Sequence, residues 1–138
     1  MSVFIDANVP MYAGGSEHSL RESARGALRQ VVDARLDGVT DCEVLQELLH
    51  RYIALGRRDS GFVVFDSFAS VMRGRVLPVD VDDVERAREL ADELPELRAR
   101  DLLHLAVMQR HAIEAIVTAD RHFDGIPGIR RLPLEPSY

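Results

Sequence analysis

Short apolar runs alternate with amphipathic helical segments along the whole chain, and this alternation restricts the fold more than any other feature. Two of these runs, residues 2–6 and 115–120, are mostly apolar without alternation before they finish on an aspartate, as expected of strands buried on both faces. A repeated strand–helix order is typical of α/β folds, in which helices cover a parallel sheet. The sequence therefore predicts an α/β fold with a mainly parallel central sheet of about five strands flanked by helices.

The other elements are predicted from apolar periodicity and capping signals. Thr40 and Glu43 have the spacing of a capping box at a helix start, and residues 57–60 form a charged turn. No repeat or linker interrupts the 138 residues, so we expect one domain over 1–138. Helices are predicted over 18–37 (closed by Gly38), 43–55, 61–73, 81–94 and 100–112, and further strands over 39–40, 75–79 and 130–132.

Charge and cysteine content exclude several classes of protein. The chain has 17 basic residues, all of them arginine, and enzymes that need a lysine amine, such as P-loop ATPases and Schiff-base enzymes, are therefore excluded. The net charge of −6 argues against a protein that coats nucleic acid. Because Cys42 is the only cysteine, and no signal peptide or membrane-length apolar run is present, we expect a cytoplasmic protein without a membrane partner.

Five acidic residues fall where a doubly wound fold builds its sites. Asp6 and Asp120 end strands, Asp101 begins a helix, and Glu47 flanks the apolar stripe of another helix. Each position also has a plain structural explanation, such as turn capping or, for Glu47, a surface ion pair with Arg51. The five acids are Asp6, Glu47, Asp101, Asp120 and Asp124.

Together these acids predict a metal site. A cluster of carboxylates repels itself and raises its own pKa values unless a cation binds. All-oxygen ligands without thiolates or a histidine pair suit Mg²⁺ or Mn²⁺, and His104 is expected to be a packed or hydrogen-bonded histidine. Such ions acidify bound water and stabilise the oxyanions of phosphoryl displacement, so the hypothesis is metal-assisted phosphodiester cleavage.

Four segments resemble the PIN domain, and specifically the VapC ribonuclease toxins of toxin–antitoxin pairs. They lie in the family's order and extend over nearly the whole chain. The resemblance implies a PIN fold and the activity of a Mg²⁺- or Mn²⁺-dependent endoribonuclease, the toxin of a type II toxin–antitoxin pair. The segments are FIDANV at 4–9, VLQELL at 44–49, ARDLLHLAV at 99–107 and VTADRHFD at 117–124.

The resemblance also implies roles for individual residues. It implies that Asp6, Asp101 and Asp120 bind metal, with Glu47 and Asp124 as further candidate ligands. One departure is that Thr40-Asp41-Cys42 stands where the family often has a serine or threonine before the helix of the glutamate. Either Thr40 fills that role or Asp41 adds a sixth acid near the site. The catalytic acids would be Asp6, Glu47, Asp101 and Asp120, and the supporting residues would be Asn8, Thr118, Asp124 and Thr40.

Several partners follow from the same resemblance. They are an RNA substrate, a VapB-type antitoxin whose C-terminal segment wraps the toxin, and a second copy of the chain in a homodimer. Arg100 and Arg121 are candidate contacts to RNA phosphates, because guanidinium groups match phosphate geometry. The three phenylalanines within 43–73 could be core residues or could line a groove for dimerisation or the antitoxin.

Two other functions remain as alternatives. One is a catalytically silent PIN-like binding module, against which the complete set of four acids argues. The other is an aspartyl-phosphate phosphotransfer protein, which normally needs an active-site lysine that this chain lacks. In addition, Asn8 stands where the haloacid-dehalogenase pattern has a second aspartate.

Overall fold

Five strands, all paired in parallel, form the central sheet of the computed structural model, which describes residues 1–137. Their order across the sheet is β3–β2–β1–β4–β5, and this confirms the predicted parallel α/β fold. In chain order the strands are β1 (Ser2–Ile5), β2 (Asp37–Asp41), β3 (Val76–Leu77), β4 (Ala115–Val117) and β5 (Arg130–Leu132).

The central strand β1 determines where the two acidic strand ends meet. Ile5 of β1 lies beside Val117 of β4, so the residues that follow, Asp6 and Thr118, leave the sheet side by side. All carboxyl ends point to one edge because every pairing is parallel. This edge is also where the strand order diverges from β1 towards β2 on one side and β4 on the other, the usual place for a site in such sheets.

Six helices flank the sheet and pack in pairs. The pairs are α1 with α2, α3 with α4 and α5 with α6. Within residues 1–137, no helix has both the length and the apolar character needed to cross a membrane. The helices are α1 (Asn8–Gly14), α2 (Arg21–Val32), α3 (Cys42–Ala54), α4 (Arg58–Val71), α5 (Val81–Glu93) and α6 (Ala99–Arg110).

The first third of the chain departs most from the sequence prediction. Helix α1 was not predicted, because it has only seven residues and contains Pro10, which is tolerated in a first helical turn. Helix α2 is shorter than the predicted 18–37, and Ala34 follows it with φ of 58°. Gly38 lies within β2 and does not close the helix; a Cβ there would approach Val31 Cγ2 to 2.6 Å.

The start of helix α3 corrects a second expectation. Asp41 is its N-cap residue, with Oδ1 accepting a hydrogen bond from the Val44 N–H at 2.9 Å. The predicted capping box of Thr40 and Glu43 is therefore wrong, because Thr40 lies inside β2 and its hydroxyl donates to the Ile5 carbonyl at 2.9 Å. An aspartate that follows a threonine is an equally good cap, and the sequence alone could not separate them.

The boundaries of other elements differ by a few residues. The predicted charged turn over 57–60 is mostly the first turn of α4, and Gly56 at φ 66° makes the turn before it. The strand predicted over 75–79 is only two residues long, and the one predicted over 115–120 ends at Val117. Of the phenylalanines within 43–73, Phe68 is fully buried in the core and the other two are partly buried.

Candidate functional site

A pocket of about 140 Å³ opens at the carboxyl edge of the sheet. Its lining residues come from the end of β1, from α1, α3 and α6 and from the loop after β4. Of the five acids predicted for the site, only Asp124 does not line it. The four predicted catalytic acids are thus brought together. The pocket is lined by Asp6, Asn8, Met11, Glu47, Arg51, Arg98, Arg100, Asp101 and Asp120.

Asp6 is held at the floor of this pocket by hydrogen-bond donors. Its Oδ1 accepts the Ala7 N–H at 2.8 Å, and its Oδ2 accepts the Thr118 hydroxyl at 2.7 Å. The Asn8 side-chain amide adds a third donor at 3.3 Å to Oδ2. Because Asp6 is only 5% exposed, these contacts fix the direction in which its remaining lone pairs face the pocket.

Thr118 is the centre of the hydrogen-bond network that joins β1 to the loop after β4. Its Oγ1 accepts the Asn8 Nδ2–H at 2.8 Å and the Asp120 N–H at 3.0 Å, which leaves the hydroxyl proton for Asp6. Asn8 Oδ1 accepts the Ala119 N–H at 3.1 Å, so the orientation of this amide is also determined. The position of Asp120 relative to Asp6 therefore depends on one buried hydroxyl.

Replacing Thr118 by valine is expected to lower the free energy of unfolding by about 1–3 kcal/mol, because it removes a hydroxyl that accepts from the Asn8 amide and donates to the buried Asp6 carboxylate. Thr118→Ser retains the hydroxyl and is the matched control, with a much smaller expected loss. Urea denaturation followed by circular dichroism measures both. Equal stability of the valine variant and the native protein would contradict the central role of this hydroxyl.

Glu47 enters the pocket from α3 and is largely withdrawn from solvent, with its side chain 13% exposed. Burial and then the nearby negative charge of Asp6 raise the pKa of its carboxyl group. Its partner is Arg100, whose Nε lies 2.9 Å from Oε1. The alternative of a solvent-facing Glu47 paired with Arg51 is therefore wrong.

Asp101 lies in the first turn of α6 and is 7% exposed. Burial raises the pKa of its carboxyl group, and the charges of Asp6 and Asp120 raise it further. Two carboxyl groups with raised pKa values in one pocket indicate an excess of negative charge that a bound cation would relieve.

The pocket fits an oxygen-binding cation that retains water ligands. Within residues 1–137, no three acidic, histidine or cysteine side chains form a ready-made cage for a metal ion. Mg²⁺ needs no such cage, because it usually binds through one or two carboxylates and keeps several waters. The residues that could hold it are Asp6, Asp101, Asp120 and Glu47.

Comparison with known proteins identifies the family. A sequence model of the PIN domain matches residues 3–129. The chain belongs to the PIN domain family. It is 42% identical over 130 residues to ribonuclease VapC13 of Mycobacterium tuberculosis, a match that covers 94% of this chain and 98% of that protein. This relation places the chain among the VapC ribonucleases, as its sequence motifs predicted.

Solved structures share the fold of this PIN domain. A DNA-bound VapBC complex from Salmonella typhimurium contains a chain that superposes with a TM-score of 0.75 at 19% identity, covering 97% of this chain and 99% of that one. VapC20 of Mycobacterium tuberculosis, a toxin that cleaves the sarcin–ricin loop, superposes with a TM-score of 0.64 at 23% identity, covering 90% of this chain and 91% of that one. At these identities the likeness supports the fold.

Besides Thr118, three predicted residues of the PIN domain lie outside the pocket lining. Asp124 is exposed and bound to Arg131, whose Nε lies 2.6 Å from Oδ1, and this pairing lowers the pKa of Asp124. Thr40 is buried behind the pocket, where it bonds to the β1 backbone. Arg121 is exposed on the loop after β4. These residues have no direct place among the acids.

Sequence reasoning missed two contacts of the PIN domain site. His122 bonds to Asp120 through both its backbone N–H at 2.9 Å and its Nδ1 at 2.7 Å, and the two-residue spacing could have indicated this turn. The second is the buried pair of Asp41 and His104, with Oδ2 and Nδ1 2.7 Å apart. His104 is thus a hydrogen-bonded histidine as predicted, while its partner could not be found from sequence.

Proposed function

We propose that this PIN domain is a metal-dependent endoribonuclease, the toxin of a type II toxin–antitoxin pair. The observation that carries the proposal is the pocket that joins Asp6, Glu47, Asp101 and Asp120 in a chain 42% identical to a VapC ribonuclease. Four carboxylates at the carboxyl edge of a parallel sheet suit cleavage of a phosphodiester bond by an activated water.

Mg²⁺ or Mn²⁺ is the proposed cofactor, and when bound it would acidify a water and stabilise negative charge on the phosphate. Asp6, Asp101 and Asp120 would hold the ion. Glu47 either contributes a further oxygen or orients the attacking water and accepts its proton, for which its raised pKa suits it. The Thr118 hydroxyl and the Asn8 amide keep the Asp6 carboxylate in a single orientation.

The rim of the pocket supplies positive charge for the RNA backbone. Arg51, Arg98 and Arg100 line the same pocket as the acids, so a phosphate that approaches the acids would also meet guanidinium groups. Arg100 already contacts the acids, because it forms the ion pair with Glu47. The contact of Arg121 with RNA and the support of Asp124 and Thr40 to the site stay predictions.

A VapB-type antitoxin is the proposed protein partner, and an apolar groove of about 510 Å³ offers it a surface. The groove lies between α1, α2 and α4 and includes Pro10, Leu28, Val63 and Phe68. A homodimer belongs to the same proposal, and sedimentation of the purified chain tests it. The protein would act in the cytoplasm, in keeping with its single cysteine, Cys42.

Replacing Val63 by aspartate is expected to weaken antitoxin binding by more than about 10-fold, because the complex would bury a charge in the apolar groove. Val63 is 65% exposed, so the fold should tolerate the change. Val84→Asp on α5, at 54% exposure, is the matched control outside the groove. Calorimetric titration with the antitoxin encoded beside this chain measures binding; equal affinities of the two variants would place the antitoxin elsewhere.

The enzymatic proposal is tested by incubating the purified protein with end-labelled single-stranded RNA and with DNA of the same sequence. Internal cleavage of RNA that requires Mg²⁺ or Mn²⁺ supports it. Intact RNA with either ion, from a protein that still binds its antitoxin, would instead identify the catalytically silent PIN-like binding module.

A further inference from the structure

The three elements that carry Asp6, Glu47 and Asp101 meet at one buried histidine. His104 lies on α6, one turn after Asp101, and its ring centroid is 5.1 Å from that of Phe4 in β1. Its Nδ1 is 2.7 Å from Oδ2 of Asp41, the N-cap residue of α3. Both side chains are fully buried, so the contact does not compete with water.

The helices that hold Glu47 and Asp101 are otherwise weakly joined. Helix α3 packs mainly against α4, and α6 packs mainly against α5. Among residues 1–137, the polar side-chain contacts between the α3 segment and α6 are the Asp41–His104 bond and the Glu47–Arg100 ion pair. Glu47 is itself one of the proposed catalytic acids, so its ion pair with Arg100 can break when Glu47 binds an ion or a water. The buried Asp41–His104 bond is then the polar contact that still joins the two helices.

Asp41 uses its two oxygens for two different tasks. Oδ1 caps α3 through the Val44 N–H at 2.9 Å, and Oδ2 binds His104. A serine or threonine at this position would cap the helix but could not reach the imidazole in the same way. The aspartate thus adds a cross-link between helices to an ordinary cap.

The cost of this arrangement indicates that it does more than fill space. The Nε2 atom of His104 is buried and has no hydrogen-bond partner within residues 1–137, which is unfavourable for any polar group. An apolar side chain at position 104 would avoid this cost. A histidine at this place, beside the acid pocket, points to a role that an apolar side chain cannot fill.

We propose that the Asp41–His104 bond is a positioning device for the acid pocket, locking the start of α3 to α6 so that Glu47 and Asp101 keep their separation. This inference rests on the proposed metal-dependent function. The bond acts through the placement of the carboxylates, and neither residue of the pair lines the pocket. Partners that orient metal ligands from behind contribute strongly to metal affinity.

Two substitutions of Asp41 separate the cross-link from the cap. Asp41→Ser keeps a capping oxygen but is too short to reach His104, and it is expected to weaken Mn²⁺ binding and to lower kcat by about 10-fold or more. Asp41→Asn keeps the cap through its amide oxygen, and its NH₂ group can donate to Nδ1 of a neutral His104, so it should stay within about 3-fold of the native values. The KM for RNA should change little in either variant, because the arginine rim is untouched.

Mn²⁺ affinity is measured by electron paramagnetic resonance of the free ion, which needs no RNA cleavage. Asp83→Asn is the matched control: Asp83 is 2% exposed, takes part in the capping box of α5 and binds Arg110 of α6 at 2.8 Å, away from the pocket. It should lose stability while keeping native Mn²⁺ affinity. Measurements are made at a temperature at which every variant is folded.

The pair also has a pH signature in the metal-free protein. Burial lowers the pKa of His104, but the hydrogen bond and charge of Asp41, with the charges of Asp6 and Glu47, raise it to about 9. The negative charge of Asp101, which also lies near His104, favours the protonated imidazole as well. A raised histidine pKa gives stability that is complete below about pH 6.5 and is lost as the pH rises through about 9. Native Tm should show this loss, and Tm of Asp41→Ser should show a smaller one, because the charges of Asp6 and Glu47 remain.

The outcomes separate this inference from the proposed function. Native-like Mn²⁺ affinity and kcat in Asp41→Ser would overturn the positioning role while leaving the nuclease intact. An equal loss in Asp41→Asn and Asp41→Ser would also overturn it, because charge and not the bond would then matter. A native protein that binds Mn²⁺ but cleaves no RNA would overturn the function alone, and one that binds no Mn²⁺ would overturn both.

Discussion

Replacing Asp6 by asparagine is expected to reduce the rate of RNA cleavage by more than about 100-fold. Loss of a residue that only orients a metal ligand can already cost ~100-fold, and Asp6 is itself a proposed ligand. Asp6 is surrounded by donors, namely the Ala7 N–H, the Thr118 hydroxyl and the Asn8 amide. An asparagine would turn an NH₂ group towards one of these donors, so it would lose a charge and a hydrogen bond together. The initial rate of cleavage of end-labelled RNA measures the effect.

The control for Asp6→Asn is the same substitution at the opposite edge of the sheet. Asp37 begins β2, is paired with Arg75 at 2.9 Å and lies at the amino ends of the strands. Asp37→Asn should therefore cleave RNA at the native rate. Comparable cleavage by the native protein and the Asp6 variant would exclude the pocket as the active site.

Removal of divalent ions is expected to produce the second large effect, a fall of RNA cleavage to background. The carboxylates of the pocket are then left to repel one another, and burial and next the charge of Asp6 already raise the pKa values of Glu47 and Asp101. Cleavage should return when Mg²⁺ or Mn²⁺ is added in excess of the chelator, and the ion that restores it at the lower free concentration is the better cofactor.

Ion binding should also stabilise the folded protein, and this can be measured without RNA. A ligand that binds only the native state adds about 2.7 kcal/mol when its free concentration is about 100 times Kd. Differential scanning calorimetry with and without Mg²⁺ or Mn²⁺ should show this increase in the native protein and a much smaller one in Asp6→Asn. Cleavage that persists in chelator would refute the metal-dependent mechanism.

The sequence predicts the sheet and its acidic edge because both depend on local patterns. Asp6 directly follows the apolar strand β1, and Asp120 follows the apolar strand β4 after a short gap. The carboxyl ends of parallel strands necessarily share an edge, so these two acids are expected on the same side of the sheet. The short helix α1 lacked such a pattern. Its seven residues contain a proline and include no acidic residue in the first turn to signal its start.

Contacts between distant elements could not be predicted in the same way. Whether Glu47 meets Arg51 or Arg100 depends on how α6 crosses α3, and the sequence spacing of four residues favoured the wrong arginine. Asp41 and His104 are 63 residues apart, and nothing in either segment indicates the other. Tertiary packing thus decides these partners, while local periodicity decides the elements that carry them.

The side-by-side placement of β1 and β4 also determines when during synthesis the acid pocket can exist. Asp6 takes its hydroxyl donor from Thr118, 112 residues later in the chain, and Asp120 lies beyond that. A nascent chain or a fragment that stops before β4 therefore carries Asp6 and Glu47 without the residues that complete the pocket. The ribosome therefore makes most of this protein before the acid pocket can form, and a prematurely terminated chain is expected to be inactive.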